Sequence, residues 1–298
     1  MPSGADRQRA GLKGAGLEGA GLERAVRVAE EALTFDAAEA GALVRRLAAP
    51  PAGRHWTALV DGGGVVMASM SGKDPDAGHI DLLAVHPDEQ GHGLGRRLVR
   101  AAEEWLRGQG AAQARFAGNP PCYAWPGIDV RYTAAACLAE SLGYERHQVA
   151  WNMTADLTSA DLSTGGDVAR LAAEGVAVRA AGAADRERVA AFVAEHWNER
   201  WAWEAVNAAG LHYAERDGEP LAFAAWGARP AWFGPMGTAP AARGLGVGRV
   251  LLRRCLADLR AAGYGSAQIG WVGPLRFYSR AVGARAERVF WLYRRDLA

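Results

Sequence analysis

Residues 85–96 read Val85-His86-Pro87-Asp88-Glu89-Gln90-Gly91-His92-Gly93-Leu94-Gly95-Arg96, and residues 238–249 read Thr238-Ala239-Pro240-Ala241-Ala242-Arg243-Gly244-Leu245-Gly246-Val247-Gly248-Arg249. In both, a proline stands three residues ahead of Gln90 or Arg243, glycines then alternate with single residues, and an arginine leads into a segment of helical periodicity. The copies lie 153 residues apart, Gln90 to Arg243, so the repeat is of domain size rather than a solenoid unit. Alternating glycines let successive backbone N–H groups turn toward one point with no Cβ in the way, and the helix start behind them adds partial positive charge. Such a stretch suits an anion of pyrophosphate size. The dinucleotide fingerprint requires G-x-G-x-x-G and the nucleotide P-loop requires G-K-[ST]; neither spacing is present in either stretch.

The order strand, proline, [QR]-G-x-G-x-G, then a helix ending at a glycine (Gly110, Gly263) resembles the acetyl-coenzyme A motif of the Gcn5-related N-acetyltransferases, the GNAT family. The resemblance runs from residue 25 to the end of the chain as two domains in tandem. It implies an α/β (α+β) fold, each domain a splayed, mixed, mostly antiparallel sheet with flanking helices. It also implies acetyl-coenzyme A as the donor substrate, with the fourth strand on the pantetheine and the glycine loop on the pyrophosphate. The residues so implied are Leu83, Val85, Gln90, Gly91, His92, Gly93, Leu94, Gly95 and Arg96 in the first copy. In the second they are Met236, Thr238, Arg243, Gly244, Leu245, Gly246, Val247, Gly248 and Arg249.

The 298 residues suit two domains with a core each. Lys and Arg number 34 against 33 Asp and Glu, so no overall basic field favours nucleic acid or an anionic membrane. The three cysteines, Cys122, Cys137 and Cys255, are an odd number without C-x-x-C spacing in apolar or helical surroundings. Buried free thiols and a reducing, cytoplasmic compartment are the expectation. No apolar run approaches transmembrane length, and no His/Cys/Asp cluster has the spacing of a metal site.

Residues 1–24 repeat the triplet Ala-Gly-Leu at a period of five, which matches neither helix nor strand, so a flexible tail is expected there. The first domain spans 25–157: strand 25–29, helix 36–48, strands 56–60, 64–70 and 79–85, helix 93–108, strand 113–117, helix 131–142 and strand 144–155. Residues 158–175, rich in Ser, Thr, Asp and Gly, read as a linker. The second domain, 176–298, repeats the order, with helices at 183–196, 246–261 and 274–282 and strands at 211–216, 221–227, 231–238, 266–272 and 287–294.

The copies differ where chemistry is decided. Phe277-Tyr278-Ser279-Arg280-Ala281-Val282-Gly283 resembles the family element whose tyrosine hydroxyl approaches the coenzyme sulfur, which implies Tyr278 as general acid. A core tyrosine on an amphipathic helix is the bland alternative. The first copy has Cys137-Leu138-Ala139-Glu140-Ser141-Leu142-Gly143, so Leu138 stands where the acid would, and that domain is expected to bind coenzyme without catalysing. Seven of the 11 tryptophans fall in the second domain, three of them in His196-Trp197-Asn198-Glu199-Arg200-Trp201-Ala202-Trp203-Glu204. Trp197 and Trp201 lie one helical turn apart beside Glu199 and Glu204, a wall suited to an amine-bearing sugar or else a packed core patch.

Asp81 and His79 stand as candidate bases in the first domain, whereas the matching second-domain strand has no carboxylate. The closing runs Gly270-Trp271-Val272-Gly273-Pro274 and Phe290-Trp291-Leu292-Tyr293, with Trp125-Pro126-Gly127-Ile128-Asp129, resemble tandem bacterial family members that acetylate glucosamine or glucosaminides. The reading is a direct acetyl transfer from acetyl-coenzyme A to a primary amine of a small molecule, an amino sugar among the options. Antibiotic, polyamine and protein amines stay open, as does a coenzyme sensor with two degenerate sites.

Overall fold

A computed structural model describes residues 17–297; the expected tail up to residue 16 lies outside the described residues, and its last part, Gly19–Arg24, is helical rather than a tail because Leu22 packs with the apolar cluster below. The chain forms two compact units. Of the described residues, unit 1 takes those up to Ala150 together with those from Val289 onward, and unit 2 is Trp151–Arg288. The sequence boundaries at 157 and 176 are therefore revised, and the reason is strand pairing.

Unit 1 opens with helices α1 (Gly19–Ala32) and α2 (Ala37–Leu47), then strands β1 (Trp56–Asp61), β2 (Gly64–Met70) and β3 (Ala77–Val85). The strand expected at 25–29 is part of α1. Its apolar run Ala25-Val26-Arg27-Val28-Ala29 looks β-like in isolation, yet Leu22, Val26, Ala29 and Leu33 face one apolar cluster at helical spacing. Helix α3 (Leu94–Gly108) crosses over to β4 (Gln113–Phe116), which runs parallel to β3. The short β5 (Ile128–Asp129) and helix α4 (Thr133–Ser141) follow, and β6 (Glu145–Asp156) leads out.

Unit 2 starts with the second half of β6, then α5 (Gly165–Ala173), a nine-residue helix inside the segment expected as a linker. Its Leu171 is fully buried in the apolar cluster of unit 2, which is why the helix forms despite its glycine-rich start. Strand β7 (Ala177–Ala180), helices α6 (Ala183–His196) and α7 (Glu199–Val206), and strands β8 (Gly210–Arg216), β9 (Glu219–Trp226) and β10 (Trp232–Thr238) continue the unit. Helix α8 (Val247–Ala261) crosses to β11 (Ser266–Ile269), parallel to β10. Helix α9 (Leu275–Val282) and β12 (Arg285–Asp296) end the chain.

A plain repeat would pair β4 with the strand that follows α4. Instead β4 pairs antiparallel with Tyr293–Asp296 of β12, and β11 pairs antiparallel with Met153–Asp156 of β6. Each unit's sheet is thus completed by a strand written in the other half of the sequence. In unit 1 the exchanged strand is held by charge as well as by its ladder: Arg295 donates to buried Glu103 at 3.0 Å, and the Tyr293 hydroxyl donates to Glu140 at 2.8 Å.

Both sheets are covered on two faces. In unit 1, α3 and α4 bury Leu98, Leu106 and Ala139 with Ile80 and Phe116, while α1 and α2 bury Val26, Leu43 and Val44 with Met67 and Leu82. In unit 2, α8 and α9 lie on one face, and α6 and α7 bury Phe192 and Ala205 with Tyr213 and Phe223 on the other. Cys122 and Cys255 are buried thiols as expected, but Cys137 is exposed, because Ala136 and Ala139 take the inward face of α4. Among the described residues no helix is long and apolar enough to cross a membrane.

Candidate active site

The two glycine stretches fold alike. Gly91 and Gly93 take φ of 78° and 81°, and Gly244 and Gly246 take 86° and 81°, left-handed values that side-chain-bearing residues adopt at a cost of roughly 1–2 kcal/mol. Gly93 and Gly246 directly precede 15-residue helices beginning at Leu94 and Val247. The first-turn N–H groups of each helix have no intrahelical acceptor, and each loop leaves them at an exposed glycine turn. A pyrophosphate of coenzyme A fits both loops on these grounds.

Behind each loop a parallel strand pair splits. In unit 1 the β3–β4 ladder covers only Ala77–His79, after which the strands diverge. Between them opens a cavity of about 850 Å³, lined by Leu83 and Val85 of β3, by Gln90, Gly91 and Gly93 of the loop, by Gly95 and Arg96 at the start of α3, and by Leu138 of α4. It continues to Asp81, Phe116, Tyr123, Trp125, Asp129 and Tyr132. Of the residues implied by the family resemblance in this copy, His92 and Leu94 lie off the cavity. His92 is exposed at the loop tip, and Leu94 is buried against the sheet. Gln90 bridges back to the Val85 carbonyl at 2.9 Å, and Arg96 donates to Ser141 Oγ at 3.0 Å, fixing the loop between β3 and α4.

In unit 2 the β10–β11 ladder is shorter still, two pairs at Trp232 and Phe233. Here side chains of β10 and α9 lie along the start of α8. A Cβ at Gly248 would lie 3.3 Å from Thr238 Oγ1, 3.4 Å from Met236 Cε and 3.7 Å from Phe277 Cζ. Tyr278 follows on α9, 8% exposed, with its ring edge-on to Phe277 at 5.0 Å and to Phe233 at 6.3 Å. Burial pushes its hydroxyl up to about 12, so it stays protonated at neutral pH. The loop itself is engaged by α5: Arg170 donates to the Leu245 carbonyl at 2.7 Å, and Asp167 pairs with Arg249 at 2.9 Å. Arg243 and Gly244 remain exposed.

Trp197 and Trp201 do share one surface. Their rings stack 6.2 Å apart at 20°, both edge-on to buried Phe223. Trp197 lies directly against Gly237 of β10, where any Cβ would collide with its ring. Both tryptophans are half-buried, so they border the core of the α6–α7 face and show a flank to solvent. Asn198 caps α7 through Trp201 N–H at 3.0 Å, which sets the turn that brings the two rings together. Glu199 is exposed in the first turn and Glu204 is buried, so the two acids sit in different environments.

Sequence reasoning missed two features. One is α5 with Arg170 and Asp167, hidden by a linker-like composition. The other is a β-bulge at Asp81: the β2–β3 register steps from Met67↔Leu82 to Ala68↔Ile80, leaving Asp81 as the extra residue. The second candidate base, His79, is 5% exposed with Nδ1 2.9 Å from the Ala117 carbonyl. Burial holds its pKa down at about 4, so the ring is neutral and fixed.

The sequence model of the acetyltransferase (GNAT) family matches this chain twice, over residues 25–123 and 182–283. A mycothiol acetyltransferase of Thermomonospora curvata is 31% identical over 226 residues, covering 70% of this chain and 70% of that protein. Three further curated proteins of that name match over only 26, 30 and 33% of their own length. Among solved structures, the glucosamine N-acetyltransferase region of a fungal multi-domain GH3 β-N-acetylglucosaminidase superposes with a TM-score of 0.74 at 17% identity, over 95% of this chain and 38% of that one. A tandem GNAT protein from the clavulanic acid biosynthesis pathway gives 0.68 at 15% identity, over 96% and 98%. At these identities the structural likeness is one of fold. The double match and the long alignment together show that the chain belongs to the acetyltransferase (GNAT) family, whose acyl donor is acetyl-coenzyme A.

Proposed function

We propose that the chain transfers an acetyl group from acetyl-coenzyme A directly to the primary amine of a small amino sugar, with a catalytic centre in unit 2 and a coenzyme site in each unit. The observation that carries this reading is the loop set twice with the same left-handed glycines, at the mouth of a parallel strand pair that splits. The names of its relatives support the acceptor class: mycothiol acetyltransferases by sequence and a glucosamine N-acetyltransferase region by fold.

Acetyl-coenzyme A supplies an acyl group already activated as a thioester. Tyr278, protonated at neutral pH, gives its proton to the departing sulfur, an effect typically worth about 10² to 10⁴ in rate. Backbone N–H groups of β10 near Met236 and Thr238 face the developing oxyanion, and one such donor is typically worth about 3 kcal/mol. The acceptor enters from the α6–α7 face, where Trp197 and Trp201 offer flat apolar surface and the exposed Glu199 offers charge. Cys255, the unit-2 cysteine, is buried, and burial holds its thiol well above the ordinary range, so it is no nucleophile. Thiol release from acetyl-coenzyme A, measured across glucosamine, an aminoglycoside, spermidine and a lysine peptide, tests the reading. Turnover is expected with glucosamine-type amines, and absence of thiol release with every amine overturns it.

A further inference from the structure

The two glycine loops match in backbone and differ in what holds them. In unit 2, helix α5 is anchored by Leu171, fully buried in the core of that unit, with Val168 packed beside it. From that base its outer side chains reach the loop at two points. Asp167 takes Arg249, the third residue of α8, through both carboxylate oxygens at 2.9 and 3.1 Å. Arg170 donates from Nη2 to the Leu245 carbonyl at 2.7 Å, and its Nη1 is fixed by Glu174 at 2.9 Å. A guanidinium held on both sides has little freedom left to lose.

The peptide that Arg170 holds is the one that matters most for an anion. Leu245 C=O and Gly246 N–H belong to one trans peptide and point opposite ways. Gly246 takes either sign of φ at small cost, so this peptide can flip, and the flip would present a carbonyl oxygen where a phosphate needs a donor. With its carbonyl taken by Arg170, the peptide keeps the Gly246 N–H directed away from that side chain. Among the described residues the N–H groups of Gly244, Leu245 and Gly246 donate to no backbone carbonyl, so consecutive donors stay available to a ligand. In unit 1 Gly93 has the same φ, 81°, so the shape itself needs no brace. What differs is restraint. A Cβ on Gly93 would have no neighbour within 4 Å, against Arg170 Nη2 at 3.2 Å for Gly246, and among the described residues no side chain donates to the His92 carbonyl.

We propose that Arg170 is a positioning residue for coenzyme A in unit 2: it locks the Leu245–Gly246 peptide in the anion-binding orientation, so the unit-2 loop binds coenzyme A more tightly than the unit-1 loop. This rests on reading both loops as coenzyme sites. The charge of Arg170 is balanced by Glu174 and Asp167, whose carboxylates lie 2.9 and 3.7 Å away, so the effect comes from the fixed peptide more than from added positive charge. The unbraced loop of unit 1 must be ordered as the ligand arrives, which weakens binding.

The experiment is calorimetric titration of the full chain with coenzyme A. The wild type should show two sites of unequal affinity, and Gly93→Asp should leave the tighter one, which then reads unit 2 alone. Adding Arg170→Ala to that background should raise Kd about tenfold, the size expected for a hydrogen bond from a charged donor after allowance for its exposure. Arg170→Lys, which keeps one charged donor, should recover part of the loss. The ratio of Kd values should persist at about 0.5 M salt, where charges beyond about 4 Å are screened. In turnover, Arg170→Ala should raise the KM for acetyl-coenzyme A by the same factor and move kcat and the KM for glucosamine less than about twofold. Two equal sites in the wild type, an unchanged Kd in Arg170→Ala, or a loss that disappears in salt overturns the brace. So does a fall in kcat as large as the rise in KM, which would mark a general loosening of unit 2. A wild type that binds no coenzyme A overturns instead the reading of the loops beneath it.

Discussion

The two units keep one loop and part company at one helix. In unit 1, α4 presents Cys137 and Leu138 and a cavity of about 850 Å³ lies behind the loop; in unit 2, α9 presents Phe277 and Tyr278, with Phe277 and Met236 against the start of α8. The loops diverge in the same sense: Arg96 of unit 1 lines the cavity, whereas its counterpart Arg249 is paired with Asp167 of α5. One unit is fitted for a proton donor, the other for space and a buried carboxyl.

The largest expected effect tests whether the loops are still equivalent. Gly93→Asp places a carboxylate where a phosphate should sit. Two like charges about 4 Å apart near a surface repel by roughly 4 kcal/mol, which is about 10³ in affinity. Calorimetry with coenzyme A should therefore show two sites in the wild type and one in the variant. Gly246→Asp should remove the other site less completely, because Arg170 Nη2 lies 3.2 Å from the new Cβ and pairs with the added charge. Equal losses in the two variants would erase the difference drawn from α5.

Tyr278→Phe comes next. It removes one hydroxyl from a position 8% exposed and little volume, so folding and coenzyme affinity should survive while kcat falls by about 10². The loss should shrink for an acyl donor whose thiolate leaves more readily. Full turnover in this variant, with chemistry limiting the rate, returns Tyr278 to the core and makes unit 1 the main centre.

Much of this contrast is legible in the sequence. The glycine alternation gives both loops and both helix starts to within one residue, and counting back from Gly143 and Gly283 exposes Leu138 against Tyr278. What the sequence hides is long-range. Nothing local in Glu145–Asp156 or Arg285–Asp296 tells that β6 completes the sheet of unit 2 and β12 that of unit 1, because a strand's own pattern does not name its partner. The bulge is hidden for the same reason, since Asp81 is extra only relative to β2. Helix α1 was obscured by two valines whose burial, not their propensity, decides the local structure.

A smaller effect separates the acceptor faces. Trp201→Ala in unit 2 should raise the KM for glucosamine about tenfold and leave that for acetyl-coenzyme A within about twofold, because Trp201 stacks on Trp197 away from the loop. Loss of folding instead would make the pair part of the core that Phe223 anchors.

The smallest effect is on stability, and it belongs to unit 1 alone. Asp81 has a folded-state pKa raised to about 7 against an unfolded value of about 3.9, so between those values the folded chain binds the extra proton. Stability from this group is therefore present at low pH and lost as pH rises through about 7. His79 acts with the opposite sign: its pKa is held at about 4, so it withdraws stability as pH falls from about 6.5 toward 4. Asp81→Asn keeps the shape and cannot ionise. It should raise the thermal midpoint at pH 8 by a few degrees, given that 1 kcal/mol shifts a unit of this size by roughly 2–4 °C. By about pH 3, where the wild-type carboxyl is largely protonated in both states, the difference should close, and the acid-side decline set by His79 should remain in both proteins. A variant stabilised equally at pH 3 and pH 8 would show that Asp81 is not held as a buried acid, and the asymmetry between the units would then rest on α4 and α9 alone.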